Sequence, residues 1–504
     1  MEKLSDALFS YAGSDYYGFH MPGHKRNKKV TGAPLPYEID VTEIDGFDDL
    51  HHAKGILKEA QERAASVYRA EETCFLVNGS TAGILSAVLG CTQRGEKILT
   101  ARNCHKSVYH AIELNELEPV YLYPRFEEEK GINGPVEVEE VREALRLNPD
   151  IRAVIIVSPT YDGVVSDVRR IAEAAHEYGV PLIVDGAHGA HFGFHPYFPE
   201  HANAQGADVV INSVHKTLPA LTQTALIHMN GVYADRDEVK KYLHIVQSSS
   251  PSYVLMAGID ACICMLEERG GEVFEAYVKL LEKTRARLHE LKSLKLVETD
   301  DRSKLVISVK GTDCSSQELY YRLLKEYHLQ MEMAAGSYVL AMTSVGDTAE
   351  GMDRLVRALL EMDEEITKER TSPENRFSVS ENRNSMPEGV SKNRNSMSEG
   401  VSENRNCMSG RGFELPHLER VYTSAEMAKK VRRLRTGVRA LPWEQCTGFV
   451  STEYAYLYPP GIPLVVPGER ISAEAVRMLL EYRRLGFEIE GLKKDGEIEV
   501  WTDE

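Results

Sequence analysis

The chain has 504 residues, 42% of them apolar, and a formal net charge of -18. That length allows more than one domain and a substantial core. The acidic balance excludes a nonspecific nucleic-acid binder, which needs a positive surface, although it leaves room for a locally basic site. No run of about 18 apolar residues offers a membrane span, and no secretory apolar region opens the chain. The eight cysteines are scattered without zinc spacing or a compact disulfide pattern. A cytoplasmic protein without a metal is the expectation.

Taken in order, Glu2–Tyr11 suits a short helix. FHMPGHKRN at Phe19–Asn27 is a basic loop, or an arm that folds over an anionic ligand or a partner subunit. Glu38–His52 is too acidic and irregular for a core element, and can line a site for a cationic substrate. Gly55–Tyr68 has helical periodicity and Cys74–Val77 reads as a strand. NGSTAG then runs directly into ILSAVLG. A strand, a small-residue turn and a helix are what a phosphate binder needs, because free N–H groups and hydroxyls of Ser80 and Thr81 face the anion. A plainly N-capped helix would look similar.

Strands are predicted at Lys97–Thr100, Val120–Tyr123, Ala153–Val157 and Pro181–Asp185, with helices at Pro135–Leu145 and Val168–Tyr178. Alternation of this kind indicates a largely parallel sheet covered on both faces. His105 follows one strand end, as a structural histidine or as an imidazole stacked on a planar cofactor. Asp185 ends another strand. Asp208–Ser213 is a further strand, and His215 and Lys216 lie just past it. An acid and an amine at two strand ends suit Schiff-base chemistry on a pyridinium ring, or are an ordinary strand-end acid and a solvated lysine. Thr224–His228 is an edge or antiparallel return strand. The hydroxyl-rich loop Val246–Tyr253 either contacts a phosphate or caps a helix. Helices are expected at Val254–Leu266 and Val273–Leu291.

A smaller α+β domain begins near Leu294, with strands at Leu305–Lys310 and Val339–Thr343 and helices at Gln317–Tyr327 and Gly351–Lys368. Ser378–Gly410 repeats SENRNSMPEGV-like units with a period of 11 residues. Its polar, Gly- and Ser-containing composition cannot cover the entropy of ordering, so it reads as a disordered insertion. Helices at Ala425–Leu434 and Ala473–Leu485, an extended aromatic segment at Phe449–Tyr458 and a last edge strand at Glu497–Trp501 follow. Glu453, among tyrosines, is a surface acid or a partner for an ammonium or guanidinium group. The expected division is an arm (1–54), a large domain (55–293), a small domain (294–377), the insertion (378–410) and a C-terminal domain (411–504).

The stretches FHMPGHK, DGFDDLHH, NGSTAG, RNCHKS, SPTYDG, DGAHGAH, SVHK and YPPGIPLVVPGE occur in this order. In them the chain resembles the bacterial ornithine/lysine/arginine decarboxylases, in the short form without an N-terminal wing domain. The resemblance implies an α/β fold: a large domain of pyridoxal-phosphate fold type I with a mainly parallel sheet, plus smaller α+β C-terminal parts. It implies pyridoxal 5'-phosphate as cofactor, a homodimer or larger assembly, and conversion of arginine or lysine, less readily ornithine, to the amine and CO2, a polyamine-forming reaction. Lys216 matches the cofactor-bearing lysine, Asp185 the acid at the ring nitrogen and His105 the stacking imidazole. Ser80, Thr81, Ser213 and His215 match the phosphate surroundings. His188 matches a histidine near the cofactor's oxygen side, with Thr160 in the same shell, and Glu453 matches an acid near the substrate channel. Either Lys216 or His188 can return the proton to Cα. Gly186 departs from the pattern, since the family usually has an acid there. Another fold type I enzyme, such as an aminotransferase or an aldolase, and a non-catalytic binder of the cofactor are the competing readings.

Replacing Ser378–Gly410 by a short Gly/Ser linker is expected to leave turnover near that of the intact chain. Steady-state assays at equal cofactor content check this, and a large fall would overturn the disordered-insertion reading.

Overall fold

The computed structural model describes residues 2–16, 20–22, 24–29, 31, 33–371, 414–434, 437–458 and 461–502. The Ser378–Gly410 insertion, Phe19 and Gly23 of the arm, and the Pro459-Pro460 turn lie outside the described residues.

Helices α1 (Leu4–Ala12) and α2 (Ile56–Val67) lead into β1 (Glu72–Leu76), α3 (Gly79–Cys91), β2 (Lys97–Ala101), α4 (Lys106–Leu114) and β3 (Glu118–Leu122). A small hairpin, β4 (Phe126–Glu127) and β5 (Ile132–Asn133), precedes α5 (Val138–Leu147), β6 (Ile151–Val157), α6 (Val168–Glu177) and β7 (Leu182–Asp185). Then come β8 (Val209–Asn212), α7 (Val214–Thr217), β9 (Ala225–Met229), α8 (Arg236–Val246) and α9 (Tyr253–Leu288). Seven strands form one sheet in the order β1-β9-β8-β7-β6-β2-β3. The pairs from β8 through β3 are parallel, and β9 runs antiparallel to both of its neighbours. Strands β6 to β9 are buried almost throughout, as a sheet covered on both faces requires. Because β9 alone is reversed, β1, β2, β3, β6, β7 and β8 deliver their C-terminal ends to the same side.

Of the two readings of the return strand, the antiparallel one holds: β9 runs antiparallel to β1 and β8 and is interior, with all five of its residues buried. One expectation needs correction here. The two helices expected after Tyr253 are one helix of 36 residues that runs through Gly270 and Gly271. A helical glycine costs about 1 kcal/mol relative to alanine, and apolar packing against α1, α2 and α11 (Ala349–Thr371) outweighs two of them. A buried ion pair strengthens that packing: Arg63 on α2 meets Asp260 on α9, and Asp260 also accepts the Leu4 N–H at 2.8 Å. Ser252 caps α9, accepting from the Leu255 N–H at 3.4 Å, so the hydroxyl-rich loop serves as a helix cap.

The next sheet is antiparallel, in the order β10 (Lys295–Val297), β11 (Lys304–Ser308), β13 (Tyr338–Met342), β12 (Met333–Ala335), with α10 (Ser316–Glu326) and α11 packed on it. Beyond residue 413, β14 (Glu419–Arg420), α12 (Ser424–Arg433), β15 (Val438–Pro442) and β16 (Val450–Ser451) precede β17 (Ala455–Leu457) and β18 (Ile462–Val465). The chain continues through β19 (Glu469–Arg470), α13 (Ala473–Arg484), β20 (Ile489–Glu490) and β21 (Glu497–Trp501). The expected aromatic strand is divided, with β16 and β17 in different sheets, and β21 is interior, between β16 and β15.

A buried guanidinium ties this last region to the large sheet. Arg102, just past β2, donates to the Pro463 carbonyl at 2.6 Å and the Leu464 carbonyl at 3.3 Å, and pairs with Glu469 at 3.3 Å. Tyr109 and Tyr121 flank it, with ring centroids 5.5 and 5.4 Å from the guanidinium carbon. Removing one partner of a buried ion pair leaves an uncompensated charge, at a cost of about 3–5 kcal/mol. Arg102→Met is therefore expected to lower the urea midpoint markedly, and Arg102→Met/Glu469→Gln to recover part of the loss. Equal midpoints for Arg102→Met and the parent would overturn this account.

Candidate active site

The strand ends surround a cavity of about 690 Å³. Asp185 ends β7 and is 2% exposed. Its Oδ1 accepts the Ala187 N–H at 3.2 Å. Burial pushes this carboxyl above the usual carboxylate range, against the opposing pull of Lys216. Lys216 lies on the single turn of α7, just past β8. Burial lowers the pKa of its amine, while Asp185 and Glu332 act in the other direction. The Lys216 Nζ is 2.9 Å from Nε2 of His188. With Nε2 accepting from the amine, a neutral His188 carries its proton on Nδ1, a buried atom without a partner. Burial, then Lys216, keeps His188 neutral. Tyr161 covers this pair: its ring centroid is 4.4 Å from that of His188 and 5.9 Å from Nζ.

At another wall α3 starts at Gly79, whose φ of +74° is a conformation that glycine adopts without strain. No side chain caps this end. The Ser80 hydroxyl lies 2.6 Å from that of Ser213, and Thr81 lines the same wall. Two hydroxyls and the N-terminal N–H groups of a 13-residue helix suit a phosphate. His215 donates from Nδ1 to the Thr224 carbonyl at 2.7 Å, which fixes its ring. His105 caps α4, accepting at Nδ1 from the Ser107 N–H at 3.2 Å. Burial, aided by Lys216, lowers its pKa to about 3, so the ring is neutral. The Thr160 hydroxyl accepts the Val164 N–H at 3.0 Å and keeps its own proton to donate.

These residues fit pyridoxal phosphate: an amine at a cavity wall, a buried acid within its field, an anion-binding helix end and a neutral imidazole. Buried polar atoms without partners, His188 Nδ1 and Asn103 Oδ1, belong to residues lining the same cavity. Lys216, Asp185, His188, His105, Ser80, Thr81, Thr160, Ser213 and His215 thus come together.

Glu453 does not join them. It is 7% exposed, and its two oxygens accept the backbone N–H groups of Lys493 (3.1 Å) and Glu499 (2.9 Å) in the C-terminal region. Of the acidic N-terminal residues, Asp48 accepts the Gly55 N–H at 2.7 Å and Asp49 caps the turn at Leu50–His52. Besides Asp185, the acids that do line the cavity are Asp162 and Glu332. Asp162 could have been found, since it lies in SPTYDG; Glu332 sits in QMEM, where nothing in the pattern marks it.

Comparison with known proteins agrees with this geometry. The model of the Orn/Lys/Arg decarboxylase major domain matches residues 3–340, and that of the family's C-terminal domain matches residues 413–497. The uncharacterized protein YaaO of Bacillus subtilis is 33% identical over 97% of this chain and 96% of its own. An arginine decarboxylase of the same organism is 29% identical, over 97% and 95%. The crystal structure of the Francisella novicida lysine decarboxylase LdcF superposes with a TM-score of 0.79 at 20% identity, covering 99% of this chain and 81% of its own, which is a likeness of fold. The chain belongs to the Orn/Lys/Arg decarboxylase family of pyridoxal-phosphate enzymes of fold type I.

Proposed function

We propose that the protein decarboxylates arginine to agmatine and CO2, with pyridoxal phosphate carried on Lys216. The observation that carries this reading is the convergence of Lys216, Asp185 and His188 on one cavity at the parallel strand ends. Arginine is favoured over lysine because a relative named arginine decarboxylase matches almost end to end. The bound cofactor supplies an electron sink for the pair released when the bond from Cα to the carboxylate breaks.

The chain's own groups do the rest. Asp185 holds a proton at the cofactor's ring nitrogen; a buried carboxylate is costly to keep charged, and a cationic N–H beside it offsets that cost. Ser80, Thr81 and Ser213, with the end of α3, hold the phosphate, and His215 flanks it. His105 packs flat on the ring in its neutral form, and Thr160 adds a hydroxyl donor. The Lys216–His188 pair would move the proton that Cα takes once CO2 has left: their nitrogens lie 2.9 Å apart, and burial disfavours the charged form of both groups. The working unit is at least a homodimer. The family resemblance supports this, as does the FHMPGHK arm, whose described residues do not line the cavity of their own chain.

A product assay with arginine, lysine and ornithine at equal subsaturating concentration is expected to give agmatine fastest, with no keto acid. Lys216→Ala is expected to lose cofactor on dialysis and all turnover, and Asp185→Asn to keep its fold and lose about 100-fold or more in kcat. A keto acid product, or full activity of either variant, would overturn the assignment. Light scattering of the active holoenzyme is expected to give a dimer or larger, and a fully active monomer would overturn that part.

A further inference from the structure

The PLP end of an amino-acid decarboxylase handles a group common to every amino acid, so selection for a basic side chain needs a negative group further into the cavity. Glu453 is committed to two backbone N–H groups and does not line the cavity. Besides Asp185, two other carboxylates do, and both are held at the junction of the SPTYDG loop with the small sheet. The Tyr161 hydroxyl, from the loop, donates to Oε1 of Glu332, just before β12. The Tyr338 hydroxyl, from β13, donates to Oδ1 of Asp162, in the loop. The two bonds run in opposite directions between the same segments. Asp301, just before β11, adds a third tie by donating its N–H to the Gly163 carbonyl at 2.9 Å.

Neither carboxylate has an ion-pair partner among the described residues. Glu332 uses one oxygen on Tyr161, and its other oxygen has no hydrogen bond among the described residues. Burial pushes the Asp162 carboxyl up to about 6, against the help of the Tyr338 hydroxyl. The Tyr161 ring lies between the Lys216–His188 pair and Glu332. One phenol ring therefore separates the reacting amine from the acid, a span of the order of a long basic side chain. Independently of the acids, His188 and Asn103 line this cavity at 5% and 6% exposure with buried atoms that have no partner, as a site awaiting a ligand would.

We infer that Glu332, positioned by Tyr161 and backed by Asp162, is the group that receives the terminal cation of the substrate. The inference rests on the decarboxylase reading above. The guanidinium or ammonium approaches along the face of Tyr161, an aromatic surface that attracts cations, and its N–H groups take the free oxygen of Glu332. A neutral side chain of the same length leaves that carboxylate unpaired as the cavity fills, which is the origin of its rejection.

The test compares holoenzymes of the parent, Glu332→Gln and Glu332→Asp at matched cofactor content. Each is assayed with the best of arginine, lysine and ornithine and with its neutral counterpart: citrulline, norleucine or norvaline. For Glu332→Gln, kcat/KM for the basic substrate is expected to fall about 10-fold, as for loss of one charge partner at a carboxylate that is exposed in the free protein, while the neutral counterpart stays within about threefold. Glu332→Asp, which keeps the charge, is expected to retain most of the discrimination. Calorimetric affinity for the product amine is expected to weaken in parallel in Glu332→Gln. An unchanged ratio of basic to neutral substrate in Glu332→Gln, in an otherwise active enzyme, overturns the inference and leaves the decarboxylase reading intact. A parent enzyme that turns over none of the three basic amino acids overturns both.

Discussion

The guanidinium of Arg102 is the point on which the site's architecture depends. It is fully buried, and a charge in that position is tolerable only when acceptors surround it. Here two backbone carbonyls from β18 and the Glu469 carboxylate provide them. The same turn that carries Arg102 carries His105 three residues later. The Lys106 N–H, next in line, donates to the Gly461 carbonyl at 2.9 Å. One short stretch after β2 thus fixes a cavity-lining imidazole and anchors the C-terminal region that supplies Leu457, Tyr458 and Ile462 to the cavity wall. Misplacing this anchor would alter both the stability of the C-terminal region and the shape of the site.

The electrostatics of the cavity follow from the sheet. A parallel sheet covered on both faces buries its strand ends as well as its middle. Asp185, His188 and Lys216 inherit that burial, and in each case it opposes the charged form. Asp185 and Lys216 partly restore each other's charge across the cavity. The result is a site in which burial disfavours the charged form of all three groups, and the charge that persists on Asp185 and Lys216 rests on their mutual field. The fold supplies this by topology, because the reversal of β9 alone leaves six strand ends facing one way.

Much of this was legible in the sequence because strand, turn and helix follow one another at fixed short spacing. Asp185, Lys216, His105 and Ser80 each sit within a few residues of a strand end, so a correct strand reading also placed the residue. The misreadings share a different cause. Glu453 looked like a cation reader because tyrosines surround it in the chain, but it lies at a turn where backbone N–H groups from residues 40 and 46 positions away take its oxygens. Glu332 reaches the cavity only because the small sheet packs against the SPTYDG loop, a contact between residues 171 positions apart that no local pattern records. Two helices were expected where one runs from Tyr253 to Leu288, because propensity is local, while the packing that carries α9 through Gly270 and Gly271 is not. The expected edge position of β21 failed in the same way, since pairing order is set by tertiary contacts.

Gly186 shows how a departure from the family pattern can be absorbed without disturbing the chemistry. The position follows Asp185 directly, and an acid there would add a second negative charge beside the ring nitrogen's partner. In this chain the site of a Cβ lies 2.9 Å from the Asn212 amide nitrogen and 3.2 Å from the Ile211 carbonyl oxygen, so β8 has closed over the space a side chain would need. The Asn212 amide donates to the Gly186 carbonyl at 2.7 Å. That bond joins the chain just past the end of β7 to the last residue of β8, four residues before Lys216. The bond links directly the two strand ends that bear the acid and the amine, at the point where the relative placement of Asp185 and Lys216 is decided.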